Sequence, residues 1–181
     1  MDLNSNYLLG ERILLRELRV SDVGENYYSW MNDSAVNQFL ESRFFPQSLE
    51  SIIEFTASSN RDPDVVLFAI VEIKSKIHIG NIKLGPINWI HRNAEMGLLI
   101  GEKIFWGQGF ASEAISLVCE YARNLLNLHK VTAGCYSSNI GSAKAFEKAG
   151  FQVEGIRKEQ VFVKGSFEDT MLLGKRLSLP A

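Results

Sequence analysis

The segment Trp106-Gly107-Gln108-Gly109-Phe110-Ala111 sets two glycines one residue apart at the mouth of an amphipathic stretch. Beyond it Ala111, Ala114, Ile115, Val118, Cys119, Ala122, Leu125 and Leu126 recur at helical spacing. A glycine turn opening into a helix presents unpaired backbone N–H groups and the positive end of the helix dipole, a setting for a phosphate or pyrophosphate. The competing reading is a turn that needs glycine only to enter a buried helix, and the glycines alone do not separate the two. Two familiar phosphate motifs fail on spacing. A dinucleotide fingerprint requires glycine or alanine where Ser112 stands and an acid at the next strand end, where Tyr136-Ser137-Ser138 stands. A nucleotide P-loop requires Gly-Lys-Ser or Gly-Lys-Thr, which the chain lacks. A second group with chemical potential is Glu95, a charge inside the otherwise apolar run 94–100.

These residues need elements to position them. Residues 11–17 read as a strand, Ser21-Asp22 as the N-cap of a helix to about Met31, and Ser48 as the cap of a helix over 49–57. Three meander strands follow at 65–71, 77–84 and 94–100, the first two joined by Lys74-Ser75-Lys76. After the helix behind Gly109 come a strand at 130–136, a helix at 141–149 stopped by Gly150, and a hairpin over 152–175 turning at Lys164-Gly165-Ser166. The order β-α-α-β-β-β-α-β-α-β-β predicts an α/β (α+β mixed) fold, one domain over residues 1–181, with helices covering a mixed sheet.

Composition narrows the partners. The chain has 181 residues, 46% of them hydrophobic, enough for one buried core. Its net charge of -2 offers no field for nucleic acid or an anionic bilayer, and neither is expected as a partner. Cys119 and Cys135 lie in apolar runs without metal-ligand spacing and read as buried reduced thiols, and no metal is expected. The opening Met1-Asp2-Leu3-Asn4-Ser5-Asn6 lacks a basic-then-apolar leader, and no apolar run nears the ~18 residues of a spanning helix. A cytoplasmic location is the expectation.

Four segments in order carry a resemblance. Trp106 to Ala114 resembles the acetyl-CoA pyrophosphate motif of the GNAT superfamily of N-acetyltransferases, Gln/Arg-x-x-Gly-x-Gly/Ala. Asn139-Ile140-Gly141-Ser142, followed by Lys148-Ala149-Gly150-Phe151, is similar to that superfamily's second signature. Glu11-Arg12-Ile13-Leu14-Leu15-Arg16 with Asp22 and Trp30 looks like the start of its RimJ/RimL-type branch, and the hairpin with Gly165 and Asp169 looks like its end. Two positions depart: Trp106 replaces the usual Gln or Arg, and Phe146 replaces a tyrosine thought to protonate the leaving thiolate.

The resemblance implies a single GNAT-like domain, a mostly antiparallel sheet in which strands 94–100 and 130–136 are parallel and splay apart, and acetyl-CoA as co-substrate. It implies cofactor contacts at Leu98, Leu99, Ile100, Gly101, Trp106, Gly107, Gln108, Gly109, Phe110, Ala111, Asn139, Ser142, Lys144 and Phe146, with an amide of Leu98 or Leu99 facing the thioester carbonyl. For Asn139 and Ser142 simple helix capping is the alternative. The acceptor amine must lose a proton before attack. For an amine of pKa ~10.4 that costs about 4.6 kcal/mol at pH 7, against about 2 kcal/mol for expelling a thiolate of pKa ~8.5. A base therefore matters more than an acid, and Glu95 is the expected base, with Tyr136 a replacement acid. His78 and His91 are alternatives of lower weight.

In this fold the acceptor pocket is expected from Trp30, Asn32, Asn88, Trp89 and His91, aromatics and hydrogen-bonding groups suited to a sugar ring. The runs Ile79 to Asn88 and Ile100 to Lys103 resemble GNAT members that acetylate nucleotide-linked amino sugars, the acceptor expected first. A protein N-terminus or ribosomal protein is second, and a polyamine lower, because Asp33, Glu41 and Glu95 do not form an obvious acidic groove in sequence. A non-catalytic acyl-CoA sensor is the alternative from another class. Residues 160–163 offer a strand for a homodimer.

Overall fold

The computed structural model describes residues 7–177; the opening residues 1–6 lie outside them. Eight strands form one sheet in the order β1-β2-β3-β4-β5-β6-β8-β7. These are β1 (Tyr7–Leu9), β2 (Ile13–Glu17), β3 (Val66–Glu72), β4 (His78–Asn88), β5 (Asn93–Ile100), β6 (Lys130–Tyr136), β7 (Gln152–Val163) and β8 (Ser166–Arg176). The helices are α1 (Glu25–Asn32), α2 (Ser34–Asn37), α3 (Leu49–Arg61), α4 (Phe110–Asn124) and α5 (Ile140–Lys148).

Both faces of the central strands are covered, which is why β3 is an unbroken apolar run rather than an alternating one. On one face Ala114, Ile115, Val118 and Ala122 of α4 bury against Ile13, Leu15, Ile82, Met96 and Val131. On the other, Tyr27 and Trp30 of α1 and Ile52 of α3 pack on Leu67, Ala69 and Val71. The sheet is antiparallel except between β5 and β6. The expected mixed sheet with one parallel central pair is thus the observed architecture.

Local differences have local causes. Ser21-Asp22 caps no helix: Val20–Asp22 is a 3-10 turn, and α1 begins after Gly24. The Asp22 carboxylate instead accepts two hydrogen bonds from Arg16, at 2.7 and 2.8 Å, and one from the Arg19 amide. Ser48 does cap α3, its hydroxyl accepting from the Ser51 amide at 3.1 Å, and that helix continues to Arg61. Strand β1, which no alternation announced, pairs with β2 across a turn closed by a Gly10 amide to Ile13 carbonyl bond. Cys119 and Cys135 are buried free thiols. Among the described residues no helix is long and apolar enough to cross a membrane.

Candidate active site

Parallel pairing between β5 and β6 covers Asn93–Lys130, Ala94–Val131 and Glu95–Thr132, then stops. Strand β5 stays paired with β4 to Ile100, and β6 stays paired with β8 to Tyr136. The two central strands therefore diverge beyond Glu95 and Thr132, and backbone groups that would join them are left for another partner. Backbone direction alternates along a strand. The Gly101 amide donates to Ile79 on the β4 side at 2.8 Å, and the Ile100 carbonyl accepts from the Trp106 indole at 2.7 Å. By that alternation Leu98 and Ile100 turn their amides into the gap, while Leu99 and Gly101 face β4. Gly101 is further closed off because a Cβ there would overlap the Trp30 ring.

The gap leads to the glycine turn. Gly107 and Gly109 have φ of 70 and 86°, the left-handed region where glycine is at home, and Gly109 is the N-cap of α4 without a side-chain cap. The space beside Gly107 is open. The turn is tied to β2: Arg12 donates to the Gln108 carbonyl at 2.8 Å and pairs with Glu113 at 3.0 Å, and Glu113 also accepts from the Arg12 amide. The Arg12 guanidinium lies 4.5 Å over the Phe110 ring, whose side chain is buried. Gln108 points its side chain back to the Ile104 carbonyl. Exposed backbone at a helix start beside a cation fits a diphosphate.

On α5, Asn139 accepts from the Ser142 amide at 3.2 Å, a helix cap. Lys144 is exposed. Phe146 is 2% exposed and packs on Phe151 at 4.9 Å between ring centres, inside the core rather than in the gap.

Across the sheet from α4, Glu95, Gly97 and Leu99 alternate with the buried Ala94 and Met96. Glu95 is exposed at the point where the strands part. Thr132, Gly134 and Tyr136 line the same face from β6 and, through the Tyr136–Thr170 pairing, so do Thr170 and Glu168 of β8. The Tyr136 hydroxyl donates to Glu41 and accepts from Arg43 at 2.8 Å. Burial, and then the Glu41 contact, push the Tyr136 phenol above its ordinary pKa, so it keeps its proton at neutral pH. Arg43 is committed as well to the Phe162 and Leu40 carbonyls. Glu168 Oε2 and Thr170 Oγ1 are buried with no hydrogen-bond partner among the described residues.

The residues expected to hold a ring are not gathered here. Trp30 is 3% exposed, with its indole bonded to Glu102. Asn32 spans the Tyr28 and Gln47 backbones. Asn88, Trp89 and His91 sit at the β4–β5 turn, at the end of β5 away from the gap; Trp89 bonds Asp64, and Asn88 accepts from the His91 amide. His78, wedged between Tyr27 and Trp30, is held below the ordinary histidine pKa by burial. Arg43 and Glu168 escaped the sequence reading, and Glu41 was named only as an acid near the presumed pocket, because each reaches the site through contacts or pairings remote in the chain.

A mixed sheet parted at its one parallel pair, with a glycine turn at the following helix, defines a transferase that uses an acyl-CoA thioester. The acetyltransferase (GNAT) domain family matches residues 12–152, and the chain belongs to it. It is 32% identical over 92% of its length to the probable N-acetyltransferase YjcK of Bacillus subtilis, covering 94% of that protein. It is 31% identical to the spermidine N(1)-acetyltransferase of Vibrio cholerae, over 74% of this chain and 78% of that one. The crystal structure of a Vibrio cholerae spermidine N-acetyltransferase in complex with CoA and spermine superposes with a TM-score of 0.83 at 25% identity, covering 93% and 97% of the two chains. The chain is an acetyl-CoA-dependent N-acetyltransferase of the GNAT type.

Proposed function

We propose that the chain acetylates a primary amine of a small polycationic acceptor of the polyamine kind. Acetyl-CoA supplies an acetyl group activated as a thioester. The Leu98 amide faces the charge that develops on the carbonyl oxygen. Glu95, exposed at the fork, takes a proton from the acceptor's ammonium, directly or through a water, and the free amine so formed attacks the thioester carbonyl. Tyr136, still protonated, returns one to the departing thiolate in place of the residue at the Phe146 position.

The observation that carries the acceptor class is the run of three carboxylates, Glu95, Glu41 and Glu168, on the face where the strands part, one of them with a buried unpartnered oxygen. That face also carries cations, Arg43, Arg157 and, through its pairing with Gly97 beside Glu95, Lys83; of these Arg43 is committed to Tyr136 and two carbonyls. The spermidine acetyltransferases among the relatives support the same reading.

The experiment is a comparison of kcat/KM for spermidine and spermine, nucleotide-linked amino sugars, and peptide N-termini. The proposal expects the polyamines to lead by at least about tenfold, since one buried charge-assisted contact is worth that much. A lead for the sugars or for the peptides would overturn the acceptor class while leaving acetyl transfer intact.

A further inference from the structure

Arg43 makes contacts that only the planar fork of a guanidinium can combine. From the 3-10 turn Glu41–Phe44 it donates through Nη1 to the Leu40 carbonyl and to the Tyr136 hydroxyl, both at 2.8 Å, and through Nη2 to the Phe162 carbonyl of β7 at 2.7 Å. Its guanidinium carbon lies 4.0 Å from the centre of the Phe44 ring and 5.1 Å from that of Tyr136. It is half-buried, and among the described residues no carboxylate pairs with it. An unpaired cation is thus aimed at a neutral phenol oxygen. The Tyr136 ring is itself buried and meets Phe39 edge-on at 5.9 Å, so the hydroxyl proton is the part left free to move. Thr170 and Glu168 of β8 and Arg157 of β7 face the same way, but among the described residues only Glu41 and Arg43 bond that hydroxyl.

We infer that Arg43 is the positioning residue of the proton donor, fixing the Tyr136 oxygen and serving as counterion to the phenolate left when the proton passes to CoA. This rests on the reading of Tyr136 as the acid. In that step the Tyr136 O–H bond breaks and the S–H bond of CoA forms. The negative charge moves from sulfur to the phenol oxygen, and water restores the phenol's proton after the products leave. A phenol less acidic than the thiol gives its proton up only uphill. Burial and Glu41 raise the phenol's pKa and Arg43 opposes them, which lessens that climb. In the resting site the proton lies on the Glu41 side. An acceptor ammonium drawn to Glu41 frees the hydroxyl to rotate about its C–O bond toward the thiolate, while Arg43 keeps the oxygen still.

The test is a double-mutant cycle on kcat at pH 7 with wild type, Arg43→Met, Tyr136→Phe and the double variant. It is read by thiol release from acetyl-CoA with the amine that leads the acceptor comparison, spermidine on the acceptor class proposed. Melting temperatures and the Kd of acetyl-CoA serve as controls. Tyr136→Phe is expected to lower kcat by up to about thirtyfold, the cost of expelling a thiolate of pKa ~8.5 at pH 7. Arg43→Met is expected to lower it about tenfold, to leave the Kd unchanged, and to cause no further loss once Tyr136 is Phe. Arg43→Lys keeps the charge without the fork and is expected to lose less, again only when the phenol is present; the same cycle with Arg43→Lys decides the matter where Arg43→Met does not fold. Wild-type kcat in Arg43→Met would overturn the inference, as would a loss of equal size in the Tyr136 and Tyr136→Phe backgrounds, which would show Arg43 acting through the fold alone. Wild-type kcat in Tyr136→Phe would remove the acid reading beneath it, a result distinct from additive losses in the cycle.

Discussion

At the scale of single residues, the account turns on Glu95. It stands at the last paired position of the parallel strands, exposed, on the face shared with Tyr136 and Glu168. Glu95→Gln is expected to lower kcat/KM about a hundredfold at pH 7 while leaving the dissociation constant of acetyl-CoA unchanged. The deficit should narrow as pH rises, because free amine then forms without a base, gaining about tenfold per unit below the amine's pKa. A deficit that stays constant from pH 7 to 9.5 would show a structural rather than a proton-accepting role. Glu95 could be singled out in the sequence because a charge in an apolar strand breaks a local pattern. Glu168 could not: it sits in a hairpin of mixed polarity, and only the β6–β8 pairing brings it to Tyr136. Trp30 shows the opposite failure. An aromatic beside amides reads as a stacking surface, yet Gly101 opposite it makes room for the ring, and the indole becomes core.

At the scale of elements, the glycine turn was legible because its requirement is local. A positive φ at Gly109 and an uncapped helix start follow from the residues themselves. Gly109→Val puts a β-branched residue at φ 86°, costing about 1–3 kcal/mol, and fills the space between Arg12 and Lys148. The variant is expected to remain folded and to lose the rise in melting temperature that acetyl-CoA produces in wild type. A full ligand-induced rise in the variant would take the diphosphate away from this turn. The capping at Ser48 was equally local, whereas the expected cap at Ser21-Asp22 failed because Arg16 claims the Asp22 carboxylate from the neighbouring strand. The breadth of the splay was legible only through resemblance, since no spacing rule fixes where two parallel strands stop pairing.

At the scale of the whole molecule, both faces of the sheet carry a buried group that resists ionisation. Burial pushes the Tyr27 phenol up to about 12 and the Cys119 thiol up to about 11. Tyr27 stands on the buried face of α1 and Cys119 on the buried face of α4. Each folded-state value is raised, so the native chain holds these protons more tightly than the unfolded one. The associated stability is complete below the unfolded values, 9.0 for Cys119 and 10.0 for Tyr27, and is lost as pH rises through the folded values. The melting temperature is expected to fall between pH 9 and 12, with Cys119→Ala removing the earlier part of the fall; an identical profile in that variant would exclude the thiol. The most direct measurement of the central claim is release of free thiol from acetyl-CoA with and without a polyamine, with mass spectrometry of the amine product. The account predicts amine-dependent thiol release matched one to one by N-acetylated product. Tight acetyl-CoA binding with no thiol release above background, whatever amine is supplied, would contradict it and make the chain an acyl-CoA sensor.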